Sequence, residues 1–376
     1  MRAARFAAVA SAAIAMMTTS HAQAPGDRPA PNPRATRSVV MGRNGMVATS
    51  QPLASAAGLK ALQDGGNAVD AAISAAAVLA VVEPTMNGVG GDLFAIVYDA
   101  KTKTLHALNA SGRSGYAATP DAFAARHLTH IPNAGVYSVS VPGVVDGWST
   151  LLSAYGSIPL ARALAPAIGY AKDGYAVSEI ISEQWKGSER KLADDRAAAA
   201  TFLPNGRAPR AGEVFSNPKL AATLEQIAAG GRDAFYKGAI AAAIVADLKK
   251  RDGLLDARDF AEHRSDWVEP ISTTYRGFDV YELPPNTQGF VVLEMLNILE
   301  GYDLKSMGPG SPDYLHLLVE AKRIAFADRA AYLADFDSVP PSVLKMLISK
   351  EYAAARSSAS FRSLSFHCSL MISDTA

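Results

Sequence analysis

Residues 46–113 decide the fold, and they read MVATSQPLASAAGLKALQDGGNAVDAAISAAAVLAVVEPTMNGVGGDLFAIVYDAKTKTLHALNASGR. The first helix that it predicts begins at Pro52 and ends at Gly65-Gly66, a pair that is typical of helix C-termini. Asn67 can cap a second helix over residues 68–82. That helix is apolar on nearly every face and rich in alanine, which predicts that it is buried and that neighbouring backbones approach it closely.

A glycine-rich turn, NGVGGD at residues 87–92, follows the second helix and precedes a strand. Phosphate- and dinucleotide-binding loops lie in the opposite order, between a strand and a helix, and their glycines are spaced differently. The order therefore argues against a nucleotide site. It indicates a turn in which a glycine needs positive φ, or a place where another backbone comes close. Residues 93–98 and 104–109 then predict a hairpin, which leads to Arg113.

Helices and strands are mixed along the rest of the chain. Further strands are expected at 46–50, 137–141 and 273–283, the last with a turn at Arg276-Gly277. Residues 183–215 are interpreted as a charged, alanine-rich loop. The elements do not alternate as regular βαβ units, which favours an α+β fold of helices layered on sheets over a Rossmann or barrel fold.

The N-terminal residues 1–24 have the pattern of a secretory signal peptide: a positive start, an apolar run, and Ala22-Gln23-Ala24 as a cleavage site. The apolar run is shorter than the roughly 20 residues that a transmembrane helix needs. Residues 25–37 are rich in proline and indicate a flexible lead-in. We therefore expect a secreted protein of the bacterial periplasm.

The composition argues against several kinds of partner and site. The chain is 49% apolar and 19% charged with a formal net charge of zero, so nothing favours nucleic acid or a membrane surface. Cys368 is the single cysteine, which leaves no intrachain disulfide, and nothing around it supports a catalytic thiol. The histidines after the signal peptide show no metal-ligand spacing, and structural roles are expected for them: His106, His127, His130, His263, His316 and His367.

Arg113 is the candidate binding residue, in the run Ser111-Gly112-Arg113-Ser114-Gly115. A guanidinium between two glycines is sterically open and can bind a carboxylate through two hydrogen bonds, whereas the alternative is an ordinary surface arginine. A second charged set is also ambiguous, because it fits either a solvated helix face or a buried ionic network: Glu320, Lys322, Arg323, Asp328 and Arg329. Motif order shows no Ser-His-Asp or Cys-His arrangement.

Six runs together resemble the gamma-glutamyltransferase family (gamma-glutamyltranspeptidase, glutathione hydrolase), whose members are N-terminal nucleophile (Ntn) hydrolases. They occur in the family's order between about residues 38 and 356: MVATSQPLASAAGLKALQDGGNAVDAA, VVEPTMNGVGGDLFAIVYD, LNASGRS, YSVSVPGVVDGW, ELPPNTQGFVVLEMLNILEGYDL and EAKRIAFADRAAYLAD. The variants GVGGDLF, SGR and PPNTQG are closer to bacterial transferase-like or acylase-like members. The resemblance implies an αββα sandwich, of which residues 38–356 would form the large-subunit part.

The resemblance also implies a mechanism. Family members are made as one proenzyme, a zymogen that cuts itself into two subunits, and the new N-terminal Thr of the small subunit attacks the γ-amide of glutathione or a related γ-glutamyl compound. Water or an acceptor amino acid or peptide then releases the γ-glutamyl group, and no metal or organic cofactor is required. By motif position Arg113 binds the α-carboxylate of the substrate. The turn 88–91 and the loop 284–289 are expected to be walls of the site.

The chain departs from the family in two ways. At 376 residues it is shorter than family precursors, and it has no Thr-Thr-His-type run after the large-subunit region. The nucleophilic Thr is therefore expected to be absent, and no catalytic residue is assigned. Residues 357–376 are rich in serine and unlike the family. A frameshift or premature stop would explain them, and a lineage-specific tail is the alternative.

These departures imply physical consequences. Without a small subunit, sheet edges and apolar helix faces such as that of residues 68–82 should be exposed. The isolated chain is then expected to be poorly soluble and inactive on γ-glutamyl substrates. It is either an enzyme by descent, active only with a separately supplied small subunit, or an inactive relic or carboxylate-binding scaffold that keeps Arg113. An acylase-like amidohydrolase is a further alternative.

Overall fold

The computed structural model describes residues 39–357. The expected signal peptide and lead-in, and the tail after residue 357, lie outside the described residues, as do His367 and Cys368. The chain divides into two compact units, Met1–Met46 and Val47–Ala376. The described part of the first unit, residues 39–46, contains no helix or strand. All elements below belong to the second unit.

Fifteen α-helices and seven strands make up the described part of the second unit. The helices are α1 Pro52–Gln63, α2 Ala68–Val82, α3 Pro120–Ala124, α4 Val144–Tyr155, α5 Leu160–Asp173, α6 Glu179–Gly187, α7 Glu189–Ala193, α8 Arg196–Phe202, α9 Pro218–Tyr236, α10 Ala239–Lys250, α11 Ala257–Ala261, α12 Gly289–Glu300, α13 Leu304–Met307, α14 Pro312–Tyr332 and α15 Pro341–Leu347. The strands are β1 Leu93–Asp99, β2 Thr104–Ala110, β3 Tyr175–Ala176, β4 Val214–Phe215, β5 Asp266–Val268, β6 Ile271–Tyr275 and β7 Phe278–Glu282. Residues 350–357 are also helical. None of these helices has the length and apolarity that a membrane crossing requires.

The main sheet has three antiparallel strands in the order β1-β2-β5. Asn109 of β2 is paired with Phe94 on one side and with Asp266 on the other, so the end of the hairpin meets a strand from much later in the chain. The strands β3 and β4 form a short ribbon, and β6 and β7 form a separate hairpin. This hairpin confirms the strand pattern with a turn that was predicted for residues 273–283.

Helix α2 lies at the centre of the main hydrophobic core. Asn67 caps it in a capping box with Asp70, as its local sequence predicts for the cap. Ala77 and Val78 have no exposed surface, because α2 packs between α1, α4 and α5. The expectation that an apolar face of residues 68–82 would be exposed is wrong for most of the helix, which other helices of this chain cover. It holds for one stripe, on which Ala68 and Ala72 are exposed and Ala76 is half-buried.

Strand β1 is where the sheet is open. In the described part of the chain β1 is paired with β2 on one side only. Phe94, Ile96 and Tyr98 are exposed on it, at 43%, 38% and 60% of their surface. The predicted exposed sheet edge is thus confirmed. A cavity of about 570 Å³ adjoins this strand, lined by Ala76 and Ala80 of α2 and by Leu93, among others.

Three secondary-structure predictions are wrong. Residues 46–50 form no strand, because their polar side chains serve helix ends instead: Thr49 donates to the Gln51 carbonyl and Ser50 to Glu83. Residues 137–141 contain no strand either, and Val136–Ser138 is a 3₁₀ turn. The presumed loop 183–215 contains helices α7 and α8 and the end of α6, since alanine is a strong helix former and Trp185 supplies a buried anchor.

The charged residues of α14 divide between the two alternatives. Arg323 pairs with Glu320 at 2.8 Å, three residues away on the helix surface. Asp328 is buried, and it accepts hydrogen bonds from Arg356 and from the Tyr352 hydroxyl at 3.0 Å each. The middle of α14 therefore carries a surface pair, in which Arg323 is exposed, and its C-terminal part belongs to a buried network that holds the last described helix.

Candidate functional site

Arg113 follows β2 in a loop that is anchored to the segment before α4. Its carbonyl oxygen accepts a hydrogen bond from the Val141 amide at 2.9 Å. A Cβ on Gly112 would lie 1.9 Å from the Val141 carbonyl oxygen, so only glycine allows this approach. The Arg113 side chain is 54% exposed. The backbone is therefore fixed while the guanidinium is accessible, as the flanking glycines predict.

The glycine-rich turn lies against the same segment. The Gly91 carbonyl oxygen accepts hydrogen bonds from the amides of Gly143 and Val144, both at 3.0 Å. Asp92, directly after the turn, accepts a hydrogen bond from the Gly112 amide at 3.3 Å. Neither interpretation of these glycines holds. A Cβ on any glycine of the turn would meet no atom closer than 3.4 Å, so no other backbone approaches closely enough to require glycine. Positive φ is wrong, since the glycines with positive φ lie elsewhere in the chain.

The loop 284–289 approaches Arg113 from the other side. Asn286 accepts a hydrogen bond from Asn109 at 2.8 Å and donates one to the Ser111 hydroxyl at 3.0 Å. Asn109 in turn accepts a hydrogen bond from the Ser111 amide at 3.0 Å. This closed set of amide and hydroxyl contacts fixes the loop next to the arginine. Its position beside Arg113 agrees with the expectation of a wall element.

Asp266 is the partner of Arg113, and the sequence interpretation missed it. One Asp266 oxygen accepts a hydrogen bond from Nη2 of Arg113. The other lies 3.6 Å from Nε of Arg264. Asp266 is 153 positions from Arg113 in the chain, and a single carboxylate in a three-residue strand carries no local signal of such a contact.

A buried carboxylate lies beneath this pair. Asp146, in the first turn of α4, is 3% exposed and accepts hydrogen bonds from Arg232 and from the Ser265 amide and hydroxyl. Burial alone would raise the pKa of Asp146, but the hydrogen bonds from Ser265 and Arg232 outweigh it and hold the pKa below its ordinary value. Asp146 is therefore a charged anchor for the segment that leads into β5.

His263 completes the layer behind the site. Its ring is buried and stacks on the Tyr236 ring at a centroid distance of 5.1 Å. Burial lowers the pKa of His263, so the imidazole is neutral at pH 7. This packing supports the structural role that was expected for it. Within residues 39–357, no three His, Cys, Asp or Glu side chains are grouped so as to hold a metal ion.

These contacts place one accessible guanidinium, paired with the Asp266 carboxylate, next to a loop held by neutral amide and hydroxyl groups. Arg113 offers charged N–H donors, and Asn286 and Ser111 offer short polar groups beside it. Such a set recognises a carboxylate with a polar neighbour, because guanidinium N–H groups match carboxylate geometry. The chemistry that this arrangement supplies is binding and orientation of an anionic ligand.

Comparison with known proteins identifies related chains. The model of the gamma-glutamyltranspeptidase family matches residues 54–363. The glutathione hydrolase-like YwrD proenzyme of Bacillus subtilis is 42% identical over 320 residues, which are 84% of this chain and 59% of that protein. This chain thus spans about three fifths of that relative.

Two solved structures extend the comparison. The gamma-glutamyltranspeptidase of Helicobacter pylori superposes with a TM-score of 0.79 at 32% identity. The match covers 86% of this chain and 93% of the Helicobacter pylori chain. A cephalosporin acylase from Bacillus halodurans superposes with a TM-score of 0.79 at 42% identity. The match covers 88% of this chain and 62% of the acylase chain. Both support the expected α+β fold of the Ntn hydrolases.

Proposed function

The chain belongs to the gamma-glutamyltranspeptidase family, and we propose that it forms the carboxylate-binding part of an enzyme that cleaves and transfers γ-glutamyl groups. The donor is glutathione or a related γ-glutamyl amide. One observation carries the proposal: Arg113 has a fixed backbone and an accessible guanidinium. It is the arginine of the motif SGR, which directly follows the β1–β2 hairpin. In this role Arg113 binds the α-carboxylate of the γ-glutamyl group through charge-assisted hydrogen bonds.

The nucleophile of the proposed reaction is the N-terminal Thr of a small-subunit part, and this chain provides the surface that receives it. Relatives of this chain are named proenzymes, and the chain spans 59% of one of them. The unpaired edge of β1 can pair with a further strand. Its exposed side chains Phe94 and Ile96 can then be covered by that part. The cavity next to β1 leaves room for apolar side chains of that part. Binding by Arg113 then positions the γ-amide for attack.

An acylase-like amidohydrolase is the second candidate. It is supported by the cephalosporin acylase, which is 42% identical, whereas the gamma-glutamyltranspeptidase structure is 32% identical. In this alternative Arg113 binds a carboxylate on an acyl group other than γ-glutamyl. A carboxylate-binding scaffold without turnover is the third outcome, and it requires only the binding function.

The test combines the full chain with a family small subunit by co-expression. The donors are γ-glutamyl-p-nitroanilide and glutaryl-p-nitroanilide, which keeps the carboxylate but lacks the α-amine. We expect release of p-nitroaniline from the first donor only, and a loss of about 100-fold in Arg113→Ala, since two hydrogen bonds to a charged group contribute about 3 kcal/mol or more. Equal turnover of both donors would favour an acylase. Binding of L-glutamate without turnover would favour the scaffold.

Export is the remaining part of the proposal. The N-terminal signal pattern supports a periplasmic location. Fractionation of cells that express the full chain tests it, with the cytoplasmic fraction as the outcome that contradicts it.

A further inference from the structure

Asp266 divides its carboxylate between two arginines. One oxygen accepts from Nη2 of Arg113, and the other lies 3.6 Å from Nε of Arg264. The side chains of Arg113, Asp266 and Arg264 are 54%, 42% and 78% exposed, so all three lie at the surface of the site. Exposed ion pairs have little effect on stability. Their arrangement around a binding arginine has a different consequence, which is orientation.

The contact with Asp266 leaves most of the Arg113 guanidinium available. A guanidinium carries five N–H donors, and Asp266 takes one at Nη2. The remaining donors can still bind a ligand carboxylate through two parallel hydrogen bonds. Asp266 therefore fixes the plane of the guanidinium at one corner without covering it.

The local charge also favours an anionic ligand. Two arginines and one carboxylate leave one net positive charge in the cluster. If Arg113 and Asp266 were alone, the pair would be neutral and its attraction for a second carboxylate would be weak. Arg264 restores the positive charge, and its side chain is 78% exposed to solvent.

Both members of the ion pair are anchored to the start of the same helix. The Arg113 carbonyl accepts from the amide of Val141, just before α4. Ser265, adjacent to Asp266, donates its amide to Asp146 in the first turn of α4 at 2.6 Å. Register also holds Asp266 opposite Asn109 in the sheet. The distance between the two backbones is thus set by buried hydrogen bonds rather than by the exposed ion pair itself.

We propose that Asp266 is a positioning residue, which orients the Arg113 guanidinium for the α-carboxylate of the substrate, with Arg264 keeping the cluster positive. This inference rests on the proposed role of Arg113. It assigns a specificity function to a residue pair whose stabilising effect is small. The opposite role, in which Asp266 competes with the ligand for Arg113, predicts the opposite change in affinity when the carboxylate is removed.

The test is titration of the full chain with L-glutamate by isothermal titration calorimetry. Asp266→Asn is expected to raise the Kd about three- to fivefold, because an exposed ion pair that orients a side chain contributes up to about 1 kcal/mol. Asp266→Glu keeps the carboxylate and should recover at least half of that loss in binding free energy. Glu225→Gln is the matched control: Glu225 pairs with Lys172 at 3.7 Å and similar exposure, far from the site in sequence, and should bind like the wild type. An unchanged or lowered Kd in Asp266→Asn overturns the proposal.

A second measurement separates this inference from the proposed function. The Nη2–H signals of Arg113 in a ¹H–¹⁵N spectrum, assigned with Arg113→Lys, report whether the guanidinium is fixed before any ligand is added. We expect a shifted, slowly exchanging signal in the wild type and in Asp266→Glu, and its loss in Asp266→Asn. If the wild type binds no L-glutamate, the proposed function of Arg113 fails. If Asp266→Asn leaves the Nη2–H signals unchanged, the positioning role fails even where glutamate binds.

Discussion

Replacement of Asp146 by Asn tests whether the buried carboxylate holds the site together. Asp146 is 3% exposed and accepts from Arg232, from the Ser265 amide at 2.6 Å and from the Ser265 hydroxyl. Asn has the same shape, but it replaces one acceptor oxygen by an NH₂ group. In either orientation of the amide, a donor then faces a donor, since the partners of both oxygens are N–H or O–H groups.

The expected loss of stability in Asp146→Asn follows from these contacts. A hydrogen bond to a charged group contributes about 1.5–3 kcal/mol. With the amide NH₂ facing Ser265, two such bonds are lost and the contact to Arg232 becomes neutral. Removal of one partner of a buried ion pair costs about 3–5 kcal/mol. Arg232 keeps 26% of its side-chain surface in solvent, so we take the lower end, about 3 kcal/mol.

The assay is urea unfolding at pH 7, followed by circular dichroism. Asp233→Asn is the matched control, because Asp233 pairs with the same arginine at 3.2 Å but is 61% exposed. It should lower the free energy of unfolding much less than Asp146→Asn does, because exposed ion pairs have little effect on stability. Equal losses in the two variants, or a loss below about 1 kcal/mol in Asp146→Asn, would refute the anchoring role.

The pH dependence gives the same prediction a second readout. Burial raises the pKa of Asp146, but the hydrogen bonds from Ser265 and Arg232 outweigh it, and the folded-state pKa lies below the unfolded value of about 3.9. Asp146 therefore stabilises the fold above that value, and the contribution is lost as the pH falls through the lower, folded-state pKa. The difference between the wild type and Asp146→Asn should shrink below about pH 4.

Three further predictions concern other parts of the described chain. Gly112→Ala should cost about 2 kcal/mol or more in thermal unfolding, because its Cβ would lie 1.9 Å from the Val141 carbonyl oxygen; a change in melting temperature within error would contradict this. Burial, and secondly the Asp328 carboxyl, raise the pKa of Glu294. The stability of the wild type should therefore fall as the pH rises above the unfolded pKa of about 4.3, whereas Glu294→Gln should lack that fall. The same pH dependence of urea unfolding in both proteins from about pH 4 to 8 would contradict this. Phe94→Lys should reduce aggregation in size-exclusion chromatography with a melting temperature within about 2 °C of the wild type, since Phe94 is 43% exposed on the open strand, and undiminished aggregation would exclude β1 as the cause.

Local signals in the sequence predict a helix well where its ends are specified within a few residues. The helices α7 and α8 within residues 183–215 were nevertheless predicted as a loop. Asn67 caps α2, and the helix occupies Ala68–Val82 as the pattern indicates. Strands are predicted less well, since a strand exists only where a partner pairs with it. Residues 46–50 have strand-like composition, yet their side chains cap helix ends and no ladder forms there.

The residues of the site also differ in whether a local signal in the sequence predicts them. Arg113 could be predicted because the glycines beside it give a local reason for an accessible side chain. Asp266 and Asp146 could not, because their roles depend on contacts between segments far apart in the chain. A buried carboxylate such as Asp146 has no local signature in a helix, where an acidic residue in the first turn is common for electrostatic reasons alone.

Three arginines lie near residues 263–266, and their surroundings decide which one can bind a ligand. Arg232 contacts the buried Asp146 and the His263 carbonyl, so its charge is already neutralised within the fold. Arg264 is 78% exposed and has a carboxylate oxygen only at 3.6 Å, so a ligand would have to order a long, solvent-exposed side chain. Arg113 combines an anchored backbone, one contact to Asp266 and a half-exposed guanidinium. Fixation reduces the entropy lost on binding and exposure leaves the donors accessible, and in this cluster Arg113 has both.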